Sequence, residues 1–124
     1  MIQHIVLVKW KPGTTEDEII EAFGDARGLL DEIDAVQQLT LGRNRVESAH
    51  GFTHALIVNL PNEDALRRYL QHPARIRYVE ERLQPLQEQR IEIDVPVDVA
   101  LHRDPGARDW EWGASVGMGP PPDD

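Results

Sequence analysis

From Ile2 to Trp10 the residues are nearly all apolar and rich in β-branched types. Such a run predicts a strand buried on both faces. Pro12-Gly13 ends it, and Thr15 followed by Glu18 makes a capping box that starts a helix. Ile19, Phe23, Ala26, Leu30 and Ile33 recur at four- and three-residue steps, which predicts one continuous apolar stripe along that helix. Glu16, Asp17, Glu21, Asp25 and Asp31 form its solvated side. A second strand is expected from about Val36 to Asn44. Leu39 and Leu41 alternate there with Gln38 and Thr40, and Gly42 marks a bulge or bend. The third strand, Phe52 to Leu60, contains the unbroken apolar run Ala55 to Val58 and reads as buried on both faces.

Asn62 is a good N-cap for a short helix through Leu70. Pro73 breaks that helix and opens another, to about Leu83, with Ile76, Val79, Leu83 and Leu86 facing inward. In the last strand Ile91, Ile93, Val95, Val97 and Val99 alternate with Glu92, Asp94, Pro96 and Asp98. Pro96 suits an edge or a strand end. The order β-α-β-β-α-α-β predicts an α+β, ferredoxin-like domain with a four-stranded antiparallel sheet of order 4-1-3-2. Helices cover one face of such a sheet. The apolar second face of the central strands then calls for another cover, most simply a second copy of the chain, with the C-terminal tail as the alternative.

Composition changes after residue 101. Residues 1–101 read as the folded domain. Residues 102–124 read as an irregular tail with Gly113, Gly117, Gly119 and Pro120-Pro121-Pro122. Trp110 and Trp112 suit a docked tail better than a free one, and a lid over a pocket is the sharper alternative.

The 124 residues carry a net charge of -9, which disfavours nucleic acid and anionic lipid as partners. No cysteine is present, so disulfides and thiolate chemistry are excluded. No leader peptide or membrane-length apolar run is read, so a cytoplasmic protein is expected. The scarcity of lysine, Lys9 and Lys11 alone, hints at a bacterial genome. Five scattered histidines lack metal-ligand spacing, no glycine-rich nucleotide loop occurs, and Ser48 and Ser115 lack a nucleophile's setting. No metal or other cofactor is expected.

Four segments together resemble the stress-responsive A/B barrel (Dabb) family: Met1 to Lys11, Gly42-Arg43-Asn44, Gly51-Phe52-Thr53-His54-Ala55-Leu56, and Tyr69-Leu70-Gln71-His72-Pro73-Ala74. The resemblance covers residues 1 to about 99. It implies a homodimeric α/β barrel in which two sheets face each other, with a small-molecule pocket between sheet and helices. It leaves function divided. Some members are stress-associated proteins with no assigned reaction, and others are cofactor-free polyketide cyclases. Neighbouring dimeric-barrel families add cofactor-free monooxygenases. In the cyclases a tyrosine matching Tyr69 and the second histidine of a His-Pro-Ala-His turn do the chemistry. Here that turn reads His72-Pro73-Ala74-Arg75, and an arginine cannot serve as a general base, which favours a domain protein of no established activity over a cyclase.

His4 and Tyr69 are the candidate catalytic pair, an acid or base and a hydrogen-bond donor to an enolate. A buried structural histidine and a core tyrosine are the plain alternatives. Val6 and Val8 share the face of His4 by the strand period, and Phe23 and Tyr78 are expected as walls of a core or pocket. His72 is expected to cap the helix after it. Arg75 could hold a substrate carboxylate or an enolate, but pairing with the acidic first helix is favoured. The band Arg67, Arg68, Arg75, Arg77 and Arg82 most simply balances that helix or the surface acids around it, with an anion site as the alternative. His54 is expected to be structural. A small apolar or aromatic compound is the expected ligand.

Overall fold

The computed structural model describes residues 1–47 and 49–97. Strand β1 (Ile2–Trp10) leads through a turn, where Gly13 takes φ +86°, into helix α1 (Glu16–Gly24). Both halves of the Thr15–Glu18 capping box form. Helix α2 (Arg27–Glu32), strand β2 (Gln38–Arg43) and strand β3 (His54–Leu60) follow. Next come helix α3 (Glu63–Gln71), capped by Asn62, and helix α4 (Pro73–Tyr78). A π-helical turn, Val79–Leu83, continues α4, and strand β4 (Gln87–Pro96) closes the fold. The sheet is antiparallel in the order β2-β3-β1-β4, as the alternation pattern predicts. Pro96 lies at the end of an edge strand. Among the described residues no helix is long and apolar enough to cross a membrane.

The core lies between the sheet and the helices. Ile2, Val6 and Val8 of β1 and Leu56, Val58 and Leu60 of β3 meet Leu29, Ile33, Leu66, Tyr69, Tyr78 and Leu83. Two stripes differ from the sequence reading. The first helix is two helices, because Ala26, Gly28 and Leu29 donate to carbonyls three residues back, at Phe23, Asp25 and Ala26. That tighter turn brings residue i+3 over residue i. Leu29 therefore fills the core above Ala26, and Leu30 is half-buried. Glycines on both sides of the join, Gly24 and Gly28, weaken the ordinary helix there.

In α4 the inward residues are Ala74, Tyr78, Val79 and Leu83, and Ile76 is 40% exposed rather than inward. The Tyr78 hydroxyl donates to the Ala22 carbonyl at 2.9 Å, which pins α4 against α1. Two residues after Ala74, Ile76 falls about 200° round the helix and so outside the core. Gly42 pairs regularly with Ala55, and the sheet's irregularity lies between Lys9 and Trp10 against β4. Strand β4 begins at Gln87, earlier than its apolar alternation suggests. Val99, Trp110 and Trp112 lie outside the described residues.

The two sides of the sheet divide the strands' residues in a way alternation alone does not reveal. Ile5 pairs with Ile57 and Ile93, and Leu7 with Ala55 and Ile91, on the face away from the helices. Ile91, Ile93 and Val95 are exposed large apolar residues. The apolar side of β4 therefore continues the open face, and its polar side, with Glu92 and Asp94, turns toward the helices.

Candidate functional site

His4 is level with Asp94 across the β1–β4 ladder, and Val6 is level with Glu92. The antiparallel register thus sets two carboxylates beside one imidazole. His4 is 2% exposed. Its Nδ1 lies 2.6 Å from Asp94 Oδ1. Its Nε2 is buried without a hydrogen-bond partner, and the nearest acceptor, Glu92 Oε1, stands at 3.6 Å, beyond bonding length. Burial pulls the His4 pKa down, but Glu92 and Asp94 outweigh it and hold the pKa above the ordinary histidine value.

Helix α3 brings Tyr69 to the same place. It is 2% exposed, and its ring meets the His4 ring edge-on with centroids 5.6 Å apart. Burial pushes its hydroxyl up to about 12, so the phenol stays a donor at neutral pH. Arg75, on α4, reaches down to the edge strand. Its Nη2 donates to Glu92 Oε1 at 2.8 Å, and Arg90 Nε lies 3.6 Å from the same oxygen. The His4 ring, aided by Arg75 and Arg90, holds the Glu92 carboxyl down to about 2 in spite of burial.

Of the residues singled out in the sequence, the structure brings His4, Tyr69 and Arg75 together and sets Phe23 and His54 apart from them. Arg75 pairs with β4, not with the acidic first helix. That helix is instead matched by Arg82 on Asp25 and Glu21, and α2 by Arg77 on Glu32. Arg67 and Arg68 pair with Asp64 on their own helix. Val6 and Val8 are buried beside His4 on the helix side of β1. His72 caps α4, its Nδ1 accepting from Ala74 N–H at 3.1 Å. Phe23 packs on Trp10 and His54 at the other end of β1, about 20 Å from His4 along the strand. His54 takes a hydrogen bond from Trp10 Nε1 at 2.9 Å, and burial, with Arg43 adding to it, lowers its pKa.

Tyr78 lines a cleft of about 220 Å³ with Leu29, Ala74, Arg77 and Arg82, and that cleft does not reach His4 or Tyr69. Beside the buried His4, Glu92 is 30% and Asp94 41% exposed, so the two acids are the part of the group that meets solvent. Glu92, Asp94 and Arg90 were not singled out by sequence reasoning. Their signal was the polar half of the β4 alternation, which becomes meaningful once the partner of β1 is known. Among the described residues no group of histidines and carboxylates has the makings of a metal site.

The constellation has the parts of an acid–base site. A carboxylate orients the imidazole through Nδ1, Nε2 remains for the proton in transit, and a neutral phenol is adjacent.

The sequence profile of the stress-responsive A/B barrel domain (Dabb) matches residues 2–97. A stress-response A/B barrel domain-containing protein of Arabidopsis thaliana is 29% identical over 79 residues, which cover 61% of this chain and 68% of that protein. Two solved structures share the fold. One is a dimeric ferredoxin-like protein of unknown function from Thermobifida fusca, with 22% identity, a TM-score of 0.67, and coverage of 77% of this chain and 90% of that one. The other is a hydroxynitrile lyase from Passiflora edulis, with 17% identity, a TM-score of 0.72, and coverage of 82% and 96%.

Proposed function

The chain belongs to the stress-responsive A/B barrel family, and on that premise we propose that it is a homodimeric small-molecule domain whose His4–Tyr69 site moves protons on a carbonyl compound without a cofactor. One observation carries the reading. A histidine almost fully removed from solvent keeps Nε2 without a hydrogen-bond partner, while a carboxylate holds Nδ1. A buried polar atom left unmatched costs stability, and such atoms gather where they serve a ligand.

In the proposed reaction neutral His4 takes a proton at Nε2 from the carbon next to the carbonyl. The electron pair moves onto the carbonyl oxygen. Tyr69 donates a hydrogen bond to that oxygen, and Asp94 stabilises the imidazolium that forms. The raised pKa of His4 makes it a stronger base once neutral. Arginine at position 75 takes no proton in this scheme. A solved relative in fold that is a hydroxynitrile lyase, and the small-compound enzymes that the family resemblance implies, are consistent with chemistry on small molecules. The dimer rests on the apolar open face and on the dimeric neighbour. We take residues 1–101 as the domain, 102–124 as its tail and the cytoplasm as its location.

The test is deuterium exchange at the central carbon of a substituted 1,3-diketone that carries a carboxylate, followed by NMR. Wild type should speed exchange over buffer. His4→Asn should bring it back to the buffer rate, and Tyr69→Phe should slow it by about 10²-fold. Exchange in wild type at the buffer rate, or unchanged in His4→Asn, sinks the reading.

A further inference from the structure

One oxygen atom of Glu92 is ringed by nitrogen atoms of basic side chains. Arg75 Nη2 lies 2.8 Å from Glu92 Oε1, Arg90 Nε 3.6 Å and His4 Nε2 3.6 Å. Asp94, bonded to the far side of the imidazole, is the other acid in the group. Three basic groups thus face two acids, and without Glu92 they would face one.

The three bases come from α4, β4 and β1, so the folded backbone, and not one mobile segment, gathers them. Arg75 and Arg90 are largely shielded, at 15% and 17% exposed. A partly desolvated guanidinium pair binds a carboxylate through paired, charge-assisted donors far better than surface lysines do. Glu92, at 30% exposed on an edge strand, is more open to solvent than the three bases that face it.

We propose that the Arg75–Arg90–His4 nest receives the carboxylate of a small organic acid, and that Glu92 is its resident competitor. In the empty site Glu92 fills the nest. An incoming carboxylate displaces it toward solvent and takes the donors of Arg75 and Arg90, which leaves His4 Nε2 and the Tyr69 ring to face the rest of the ligand. The inference rests on the acid–base reading for the location of the ligand. It adds the ligand's class: an acid, whose neutral amide or ester should be refused because it cannot replace the displaced charge.

Binding is tested without turnover, so its outcome is separate from that of the exchange experiment. Benzoate, with benzamide as its neutral counterpart, is titrated into the full chain and followed by NMR. Glu92→Ala should bind benzoate about tenfold or more tightly than wild type, because the internal rival is gone. Benzamide should gain nothing. Adding Arg75→Met to Glu92→Ala should remove the gain. Glu92→Gln keeps the shape of the side chain while losing its charge, and should also improve benzoate binding if Glu92→Ala does not fold. Equal gains for benzoate and benzamide, no gain in either folded Glu92 variant, or a gain that survives Arg75→Met overturns the proposal.

Discussion

His4 owes its setting to a residue ninety positions away, Asp94, and to Glu92 two places before it. The consequence is a pH dependence with a definite sign. The folded His4 pKa lies above its unfolded value of about 6.5, so its contribution is fully present below pH 6.5 and is lost as pH rises through the folded pKa. Glu92 works at the other end. Its folded value of about 2 lies below its unfolded 4.5, so its contribution is present above pH 4.5 and fades as pH falls toward 2. His54 opposes His4, since its lowered pKa favours the fold above pH 6.5. Urea midpoints measured from pH 5 to 9 should therefore separate the two histidines. His4→Asn should lose the decline above pH 6.5 and expose the His54 rise. An identical slope in wild type and His4→Asn would mean that the two carboxylates do not hold the proton on His4.

At the scale of elements, helix boundaries followed local chemistry and helix faces did not. Thr15, Asn62 and His72 cap the helices that their sequence positions announce. A cap is a contact within a few residues, so the local sequence contains it. The stripe of the first helical segment was misread where the helical turn itself changed, and that of α4 because Ala74 and Tyr78 set its inward face. The tight turn at Ala26 favoured Leu29 over Leu30, and the pinned Tyr78 left Ile76 outside. Equilibrium unfolding checks the second of these. Tyr78→Phe leaves the Ala22 carbonyl without its partner and should cost about 1–2 kcal/mol. Ile76→Ala, at an exposed position, should change stability by no more than about 0.5 kcal/mol. The reverse order would restore Ile76 to the core.

For the whole molecule the open sheet face is decisive. Rows of Ile57, Ile5 and Ile93, then Ala55, Leu7 and Ile91, cross three strands with nothing over them in the described chain. Burying such a surface contributes roughly 25 cal/mol per Å². A self-complementary pairing of two copies does so with twofold symmetry. Wild type should therefore scatter light as a dimer, twice the 14.1 kDa of the chain. Ile93→Asp, which sets a charge in the middle of the face, should give a folded monomer or an aggregate. A wild-type monomer at micromolar concentration, or an Ile93→Asp dimer as tight as wild type, would falsify this interface.

The element order, the central place of β1 and β3 and the caps were legible in the chain itself, because each follows from a period or a spacing within a few residues. So was the side of β1 that carries His4, by the same period of two. What surrounds His4 was not. Glu92 and Asp94 read as the polar half of an ordinary edge strand, and Arg75 as a counterion for α1. Strand pairing decides otherwise. A shift of one residue in the register of β4 would turn the acids outward and bring Ile93 and Val95 under the helices. Local sequence therefore determined that this protein has a histidine, a tyrosine and an arginine in the right elements. Only the tertiary structure decided that His4 and Arg75 meet at Glu92 and that Asp94 holds the other side of the imidazole, because that depends on pairing distant segments of the chain.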